Sequence, residues 1–266
     1  MMNRGLKYLI KSRSLNFVKD LKDKNHQISN ITWNNRKVFY RTSSSDMTLI
    51  YEILLKSKFK AEYFFPDELD PKVIFDIGGN IGITSIFLAH LFPNAKIYSF
   101  EPLPENFEIL KKNIKKYNNI EAFNIGLGSK NGNFKVYYSN DSENFGGISF
   151  HPDPVGNNLD SFIVCEVQNI NTVVEKLNLD YIDIIKIDTE GAEYDILTSL
   201  KEKIIKKAAW ITGELHGNKD FELLAYLNKL GFSLSVRKQI DNRLFMFHAG
   251  KLEIISKLKR SEIKAL

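Results

Sequence analysis

The chain has 266 residues, of which 43% are hydrophobic and 26% charged, with a formal net charge of +5. These are ordinary globular proportions, enough for one to two domains with a sizeable core. No apolar run approaches the ~18 residues of a membrane span, and the N-terminal MMNRGLKYLIKSRS has basic residues without an apolar leader core, so a soluble cytoplasmic protein is expected. The single cysteine, Cys165, has no partner for an internal disulfide, and its strand-like setting FIVCEV, without a basic neighbour, predicts a buried structural thiol.

The positive charge is segregated. Residues 1–24 carry +5 and residues 251–266 carry +3, which leaves the segment between them at −3. A nucleic-acid partner is therefore not expected of the mildly acidic centre, and the basic ends read as solvated Lys-rich helices rather than as a polyanion- or membrane-binding surface.

In chain order, Leu6, Leu9, Ile10, Phe17, Val18 and Leu21 fall at roughly helical spacing, 37–42 reads as a strand and 47–58 as a second helix. This pattern is weak, and residues 1–65 are taken as an N-terminal extension. From Val73 short apolar strands alternate with helical stretches: strands at 73–77, 96–101, 120–125, 181–188, 208–214, 232–238 and 243–248, helices at 82–92, 104–118, 190–205 and 219–230. That alternation predicts an α/β domain over 66–250 with a mostly parallel sheet covered on both faces, followed by a basic tail at 251–266. Residues 133–170 break the rhythm with extra strand-like pieces and a Gly/Asn/Pro-rich loop at 139–158, where part of an acceptor pocket is expected.

The stretch VIFDIGGNIGITS at 73–85 runs from a buried strand through glycines into a helix. In an open parallel sheet such a loop marks the crevice where strand order reverses. Gly78, Gly79 and Gly82 permit close backbone approach, and the helix start offers free N–H groups. A dinucleotide fingerprint counted from Gly78 would need glycine at 80 and 83, where Asn80 and Ile83 stand, and no Lys or Arg occurs from Val73 to Ala95 for a Walker loop. Asp76 before the loop suits a ligand with a positive centre. Glu101, 25 positions later at the end of the second strand, suits the two ribose hydroxyls of an adenosine group. A cationic adenosine ligand with an amino-acid tail is S-adenosylmethionine.

Residues 73–113, together with IDIIKIDTEGAEYDIL at 182–197 and WITGELHG at 210–217, resemble the FkbM family of methyltransferases: D-x-G-x-N-x-G, then E-P, then K-x-D-x-E-G-x-E. The resemblance covers about 72–217 and implies a Rossmann-like, seven-stranded class I methyltransferase sheet and O-methylation of small molecules or sugar hydroxyls. It places Asp76, Gly78, Gly79, Asn80, Gly82, Ser85, Glu101, Pro102 and Asp188 on the cofactor, with Asn106 supporting the loop.

Methyl transfer requires alignment of an acceptor lone pair and removal of its proton. Asp188 and Glu190 stand at the end of the fourth main strand, across the expected switch point from Asp76. Glu193 reads as helix-start chemistry. Glu214 and His216 share one side of the fifth strand, and His216 is the best general-base candidate among five histidines; His151, beside the long loop, is a possible substrate contact. The catalytic set expected is His216, Asp188 and Glu190. Asp188, Glu214 and His216 are also the candidates for a divalent Mg²⁺ or Mn²⁺ site, ranked below simple acid/base use. The fourth-strand loop is I-D-T-E-G rather than the N-P-P-Y type expected for methylating base amines, and Cys165 is the only cysteine, which leaves no attacking thiol for carbon methylation of cytosine; the small-molecule or sugar acceptor is what the family resemblance implies. The competing readings are an NAD-dependent sugar-modifying enzyme and a non-catalytic S-adenosylmethionine-binding module.

Overall fold

The computed structural model describes residues 4–23, 25–58, 61–138, 148–149, 162–216, 218–238 and 245–266. It opens with two short helices, α1 (Arg4–Ser12) and α2 (Leu15–Asp20), the second capped by the Ser14 hydroxyl accepting from Phe17 N–H. A hairpin follows, β1 (Ile28–Trp33) and β2 (Arg36–Arg41), turned by Asn34 and Asn35, both at positive φ. Helix α3 (Ser45–Leu49) runs into a π-helical turn at Ile50–Leu55.

The main alternation then begins with β3 (Val73–Ile77), α4 (Ile83–Leu91), β4 (Lys96–Phe100), α5 (Pro104–Ile114) and β5 (Ile120–Phe123). The chain departs into β6 (Gly126–Gly128), β7 (Gly132–Tyr138), β8 (Ile148–Ser149) and β9 (Phe162–Asn169), a separate four-stranded sheet in the order β6-β9-β7-β8. Cys165 on β9 is buried, and burial pushes its thiol up to about 11, as a structural cysteine requires. After α6 (Ile170–Lys176) come β10 (Ile184–Ile187), α7 (Glu193–Ser199), α8 (Glu202–Ile205), β11 (Trp210–Leu215), α9 (Asp220–Lys229), β12 (Phe232–Lys238), β13 (Phe245–Lys251), α10 (Leu252–Ile255) and α11 (Arg260–Ile263).

The seven-stranded sheet has the order β12-β13-β11-β10-β3-β4-β5. Its five strands from β11 to β5 are parallel, and β13 runs antiparallel to both neighbours. All seven strands foreseen in the sequence pair here. The expected helix at 190–205 is two helices, α7 and α8, with Leu200 between them in extended conformation. The central strands read as near-continuous apolar runs because both faces are covered. On one face Ile74, Ile184 and Trp210 pack with α4 residues Ile83, Ile86 and Phe87 and with Tyr8, Phe17, Tyr40, Ile50, Phe64 and Phe65 of the N-terminal region. On the other, Phe75, Ile185 and Ile211 pack with Val173, Ile196, Leu197, Leu223 and Leu227 of α6, α7 and α9. The first 65 residues thus contribute to the same core as the sheet. So does the end of the chain: Ile254, Leu258 and Ala265 are buried, and the buried Glu262 accepts from Asp67 N–H at 3.0 Å.

No helix among the described residues is long and apolar enough to cross a membrane.

Candidate active site

Strand order reverses between β3 and β10: β4 and β5 lie to one side, β11 to the other. The strand ends are drawn tightly together there. A Cβ on Gly78, which sits at φ +79°, would lie 1.8 Å from the Asp188 carbonyl oxygen, so no other residue fits without moving a backbone. Above this point opens a cavity of ≈ 220 Å³.

One end of it is built around Glu101. The carboxylate accepts from Asn80 N–H at 2.7 Å and Leu103 N–H at 2.9 Å, with Asn106 Nδ2 at 3.5 Å, and burial pushes its pKa up to about 7 against those donors. Gly78, Asn80, Pro102, Asn106, Gly126 and Leu127 complete this end. Asn80 sits at φ +48°, and its buried Oδ1 has no hydrogen-bond partner. The opposite end is acidic: Asp188, Glu190, Glu214 and Glu62 all line it. Glu190 holds a left-handed φ of +55° that non-glycine residues rarely adopt.

Five expected cofactor residues therefore stand on the cavity wall at one end (Gly78, Asn80, Glu101, Pro102, Asn106) and Asp188 at the other. Asp76, Gly79, Gly82 and Ser85 do not. Asp76 is fully buried behind the wall, where it accepts from the Ser85 hydroxyl at 2.5 Å and faces Lys186 Nζ at 3.4 Å, so its charge is spent on the interior and not on a ligand cation. Gly79 gives room to the Ser99 side chain and Gly82 to Leu110, which makes both packing glycines for α4 and α5.

His216 differs from expectation too. Its side chain is 7% exposed, lies off the cavity wall, and is ringed by Glu214 Oε2 at 3.2 Å, Glu193 Oε1 at 3.5 Å, Glu190 Oε2 at 3.7 Å and Asp188 Oδ1 at 3.8 Å. Burial alone would lower its pKa, but these carboxylates raise it to about 11. Held so, it is an imidazolium, with no lone pair to take a proton; a general-base role for it does not follow from this geometry. Glu193 opens α7 as an acid of its first turn, but its carboxylate caps no helix N–H: it accepts from Thr189 N–H and Gly191 N–H of the preceding loop and is buried against His216. Burial raises Asp188 and pushes Glu190 up to about 8. Glu62 is raised by burial and by its hydrogen bond to Glu214, so the two share one proton.

Several wall and support residues were missed. Ser45, Thr48 and Leu49 of α3 and Glu62 come from the N-terminal region, and Tyr63 donates its hydroxyl to Asp188 Oδ2 at 3.0 Å. Arg41 pairs bidentately with Asp46 and donates to Asn106 Oδ1 at 2.8 Å, tying that region to the Glu101 end. Lys186 had a readable signal, a lone cation inside the apolar strand IDIIKID. The expected acceptor loop at 139–158 and His151 lie outside the described residues.

A cavity at the switch point of this sheet order, with an acid at the end of the second parallel strand and acids at the ends of the fourth and fifth, defines a Rossmann-like methyltransferase. The family description "Methyltransferase FkbM domain" matches residues 76–234, and the chain belongs to this FkbM family of S-adenosylmethionine-dependent methyltransferases. It is 27% identical over 205 residues to the AMB antimetabolite synthetase AmbE of Pseudomonas aeruginosa, covering 62% of this chain and 10% of AmbE. It is 27% identical over 147 residues to the 2-O-methyltransferase NoeI of Sinorhizobium fredii, covering 52% of this chain and 60% of NoeI. The chain therefore spans less than two thirds of either relative. The crystal structure of methyltransferase FkbM from Methylobacillus flagellatus superposes with a TM-score of 0.48 at 17% identity, over 70% of this chain and 44% of that one.

Proposed function

We propose that the protein transfers a methyl group from S-adenosylmethionine to a hydroxyl of a small molecule or sugar unit. The observation that carries the reading is the two-ended cavity, with Glu101 and the unpartnered Asn80 Oδ1 at one end and Asp188, Glu190, Glu214 and Glu62 at the other. Ribose hydroxyls would donate to Glu101, and a sulfonium and an ammonium suit the acidic end. The same acids would repel the pyrophosphate of NAD, which counts against the dinucleotide alternative. Relatives support the oxygen acceptor: NoeI is named a 2-O-methyltransferase.

Bound S-adenosylmethionine supplies an electrophilic methyl group whose transfer to the acceptor oxygen leaves a neutral thioether. Chain residues have two tasks beside it, alignment and proton removal. Asp188, fixed by Tyr63, bounds the cavity where the two substrates meet. Glu190 is the base best placed for the hydroxyl proton, because its carboxyl lines the cavity and its side chain is 36% exposed, open to an incoming acceptor, whereas His216 is enclosed. The test is transfer of labelled methyl from S-adenosylmethionine into a panel of glycans and hydroxylated metabolites, with mass spectrometry of the product. Binding of S-adenosylhomocysteine without any transfer would favour the binding module, and binding of NAD in its place would sink the reading.

A further inference from the structure

We propose that Asp188, Glu193 and His216 form a binding site for a divalent first-row metal ion at the acidic end of the cavity. One ligand atom from each of the three lies within 4.8 Å of the other two. The sequence pointed to Glu214 as the third ligand; the structure gives that place to Glu193 and assigns Glu214 another part.

The decisive atom is His216 Nδ1. It is buried without a hydrogen-bond partner, on a side chain 7% exposed, and it points between Glu193 Oε1 at 3.5 Å and Asp188 Oδ1 at 3.8 Å. The other ring nitrogen, Nε2, lies 3.2 Å from Glu214 Oε2. With Nε2 turned to Glu214, Nδ1 faces two carboxylate oxygens at distances too long for a hydrogen bond, and a positive charge must stand between the three atoms: the ring's second proton, or a metal ion that takes its place. Ligand atoms around an ion at ~2.1 Å are themselves about 3.0–3.5 Å apart, a spacing that the His216–Glu193 distance of 3.5 Å and the His216–Asp188 distance of 3.8 Å approach.

The surroundings are those of a supported metal ligand set. Glu214 stands 3.2 Å from the other ring nitrogen and orients the imidazole, Thr189 N–H and Gly191 N–H hold Glu193, and the Tyr63 hydroxyl holds Asp188. An imidazole with two carboxylates suits manganese(II), iron(II) or zinc(II) better than magnesium, which prefers oxygen donors. Asp188 also lines the cavity, so an ion it holds can meet an acceptor hydroxyl and acidify it, with the proton leaving to Glu190. That role rests on the methyltransferase reading; the site itself does not.

The test is titration of the chelator-stripped full chain with manganese(II), followed by electron paramagnetic resonance. One saturable ion per chain is expected, with nitrogen modulation of the bound signal from the directly coordinated imidazole, and at least tenfold weaker binding in Glu193→Gln and in His216→Ala. Absence of saturable binding, or a bound ion without nitrogen coupling in the unaltered protein, overturns the site whether or not the variants fold. Calorimetry with S-adenosylhomocysteine on the same stripped protein separates the two readings: if it binds and manganese does not, the metal site alone fails, and if it does not bind, the methyltransferase reading fails independently of the ion.

Discussion

Lys186 Nζ lies 3.4 Å from Asp76 Oδ1, and the two residues are register partners on the adjacent parallel strands β10 and β3. Both are fully enclosed, and the ammonium also donates to the Gly78 carbonyl at 2.7 Å. Burial alone would favour neutral lysine, yet Asp76 and Asp188 hold its pKa above the ordinary value. The pair thus fastens the glycine loop to the strand that carries Asp188. Removing one partner leaves an uncompensated buried charge, which costs ~3–5 kcal/mol, whereas replacing both by apolar residues of similar size is far milder. Asp76→Ala is expected to lower urea-unfolding stability by that amount, and Asp76→Leu with Lys186→Met to recover most of it. Equal losses in the single and double variants would show that the charges are not coupled.

Glu101 gives the cofactor site a pH dependence. Its pKa is pushed from 4.5 up to about 7 by burial, so below pH 7 the carboxyl of the free protein is mostly protonated and accepts ribose hydroxyls poorly. Affinity for S-adenosylhomocysteine should rise as pH increases through about 7 and fall by up to tenfold per unit below it, while Glu101→Gln should flatten the profile at weaker affinity. Stability runs the other way. The native state holds this proton more tightly than the unfolded chain, so the contribution is fully present below pH 4.5 and is lost as pH rises through about 7. A pH-independent affinity by calorimetry between pH 6 and 8 would contradict the assignment.

The sheet was legible because each central strand is an apolar run closed by a turn signal, a pattern that local sequence carries by itself. Glu101 and Asp188 were legible because strand-end acids are few and their spacing follows from topology. What local pattern does not carry is orientation: Asp76 and Gly78 are two positions apart, yet one faces the interior and the other the cavity. The N-terminal wall was hidden for a different reason. Ser45, Thr48 and Glu62 have no recognisable spacing from the motifs, and tertiary packing alone brings them to the site.

That wall can be tested directly. Ser45 starts α3 and its Oγ, at the cavity, has no hydrogen-bond partner. Ser45→Phe should project a ring into the cavity and weaken S-adenosylhomocysteine binding at least tenfold, while circular dichroism shows an unchanged fold. Undiminished binding would mean that α3 does not bound the cofactor space.

The last turns of the chain have the opposite character. Ile254, Leu258 and Ala265 are buried and Glu262 holds Asp67 N–H, yet none of them lines the cavity. A chain ending at Lys251 should lose about 3–6 kcal/mol, since burial of Ile or Leu contributes ~1.5–3 kcal/mol each, and thermal unfolding should occur well below that of the full chain. The affinity of the remaining folded protein for S-adenosylhomocysteine should be unchanged at low temperature. Loss of binding without loss of structure would place the tail in the site.

Proton removal is the most specific claim about the chemistry. Glu190 is the cavity-lining carboxyl that leaves the protein interior furthest, at 36% side-chain exposure against 25% for Asp188 and 11% for Glu214. Its φ of +55° fixes the loop that carries it, and the next residue, Gly191, is at φ +114°, so the chain turns sharply just where the carboxyl must reach the acceptor. An alcohol attacks poorly until its proton is accepted, and a positioned base contributes 10²- to 10⁴-fold. Glu190→Gln keeps the shape and removes the basic oxygen, so kcat on the true acceptor should fall by about that range while S-adenosylhomocysteine affinity changes less than twofold. Glu190→Asp, with a shorter reach, should recover part of the rate. If Glu190→Gln instead weakens cofactor binding and leaves single-turnover transfer intact, the carboxylate serves the sulfonium ligand, and the proton leaves by way of Asp188.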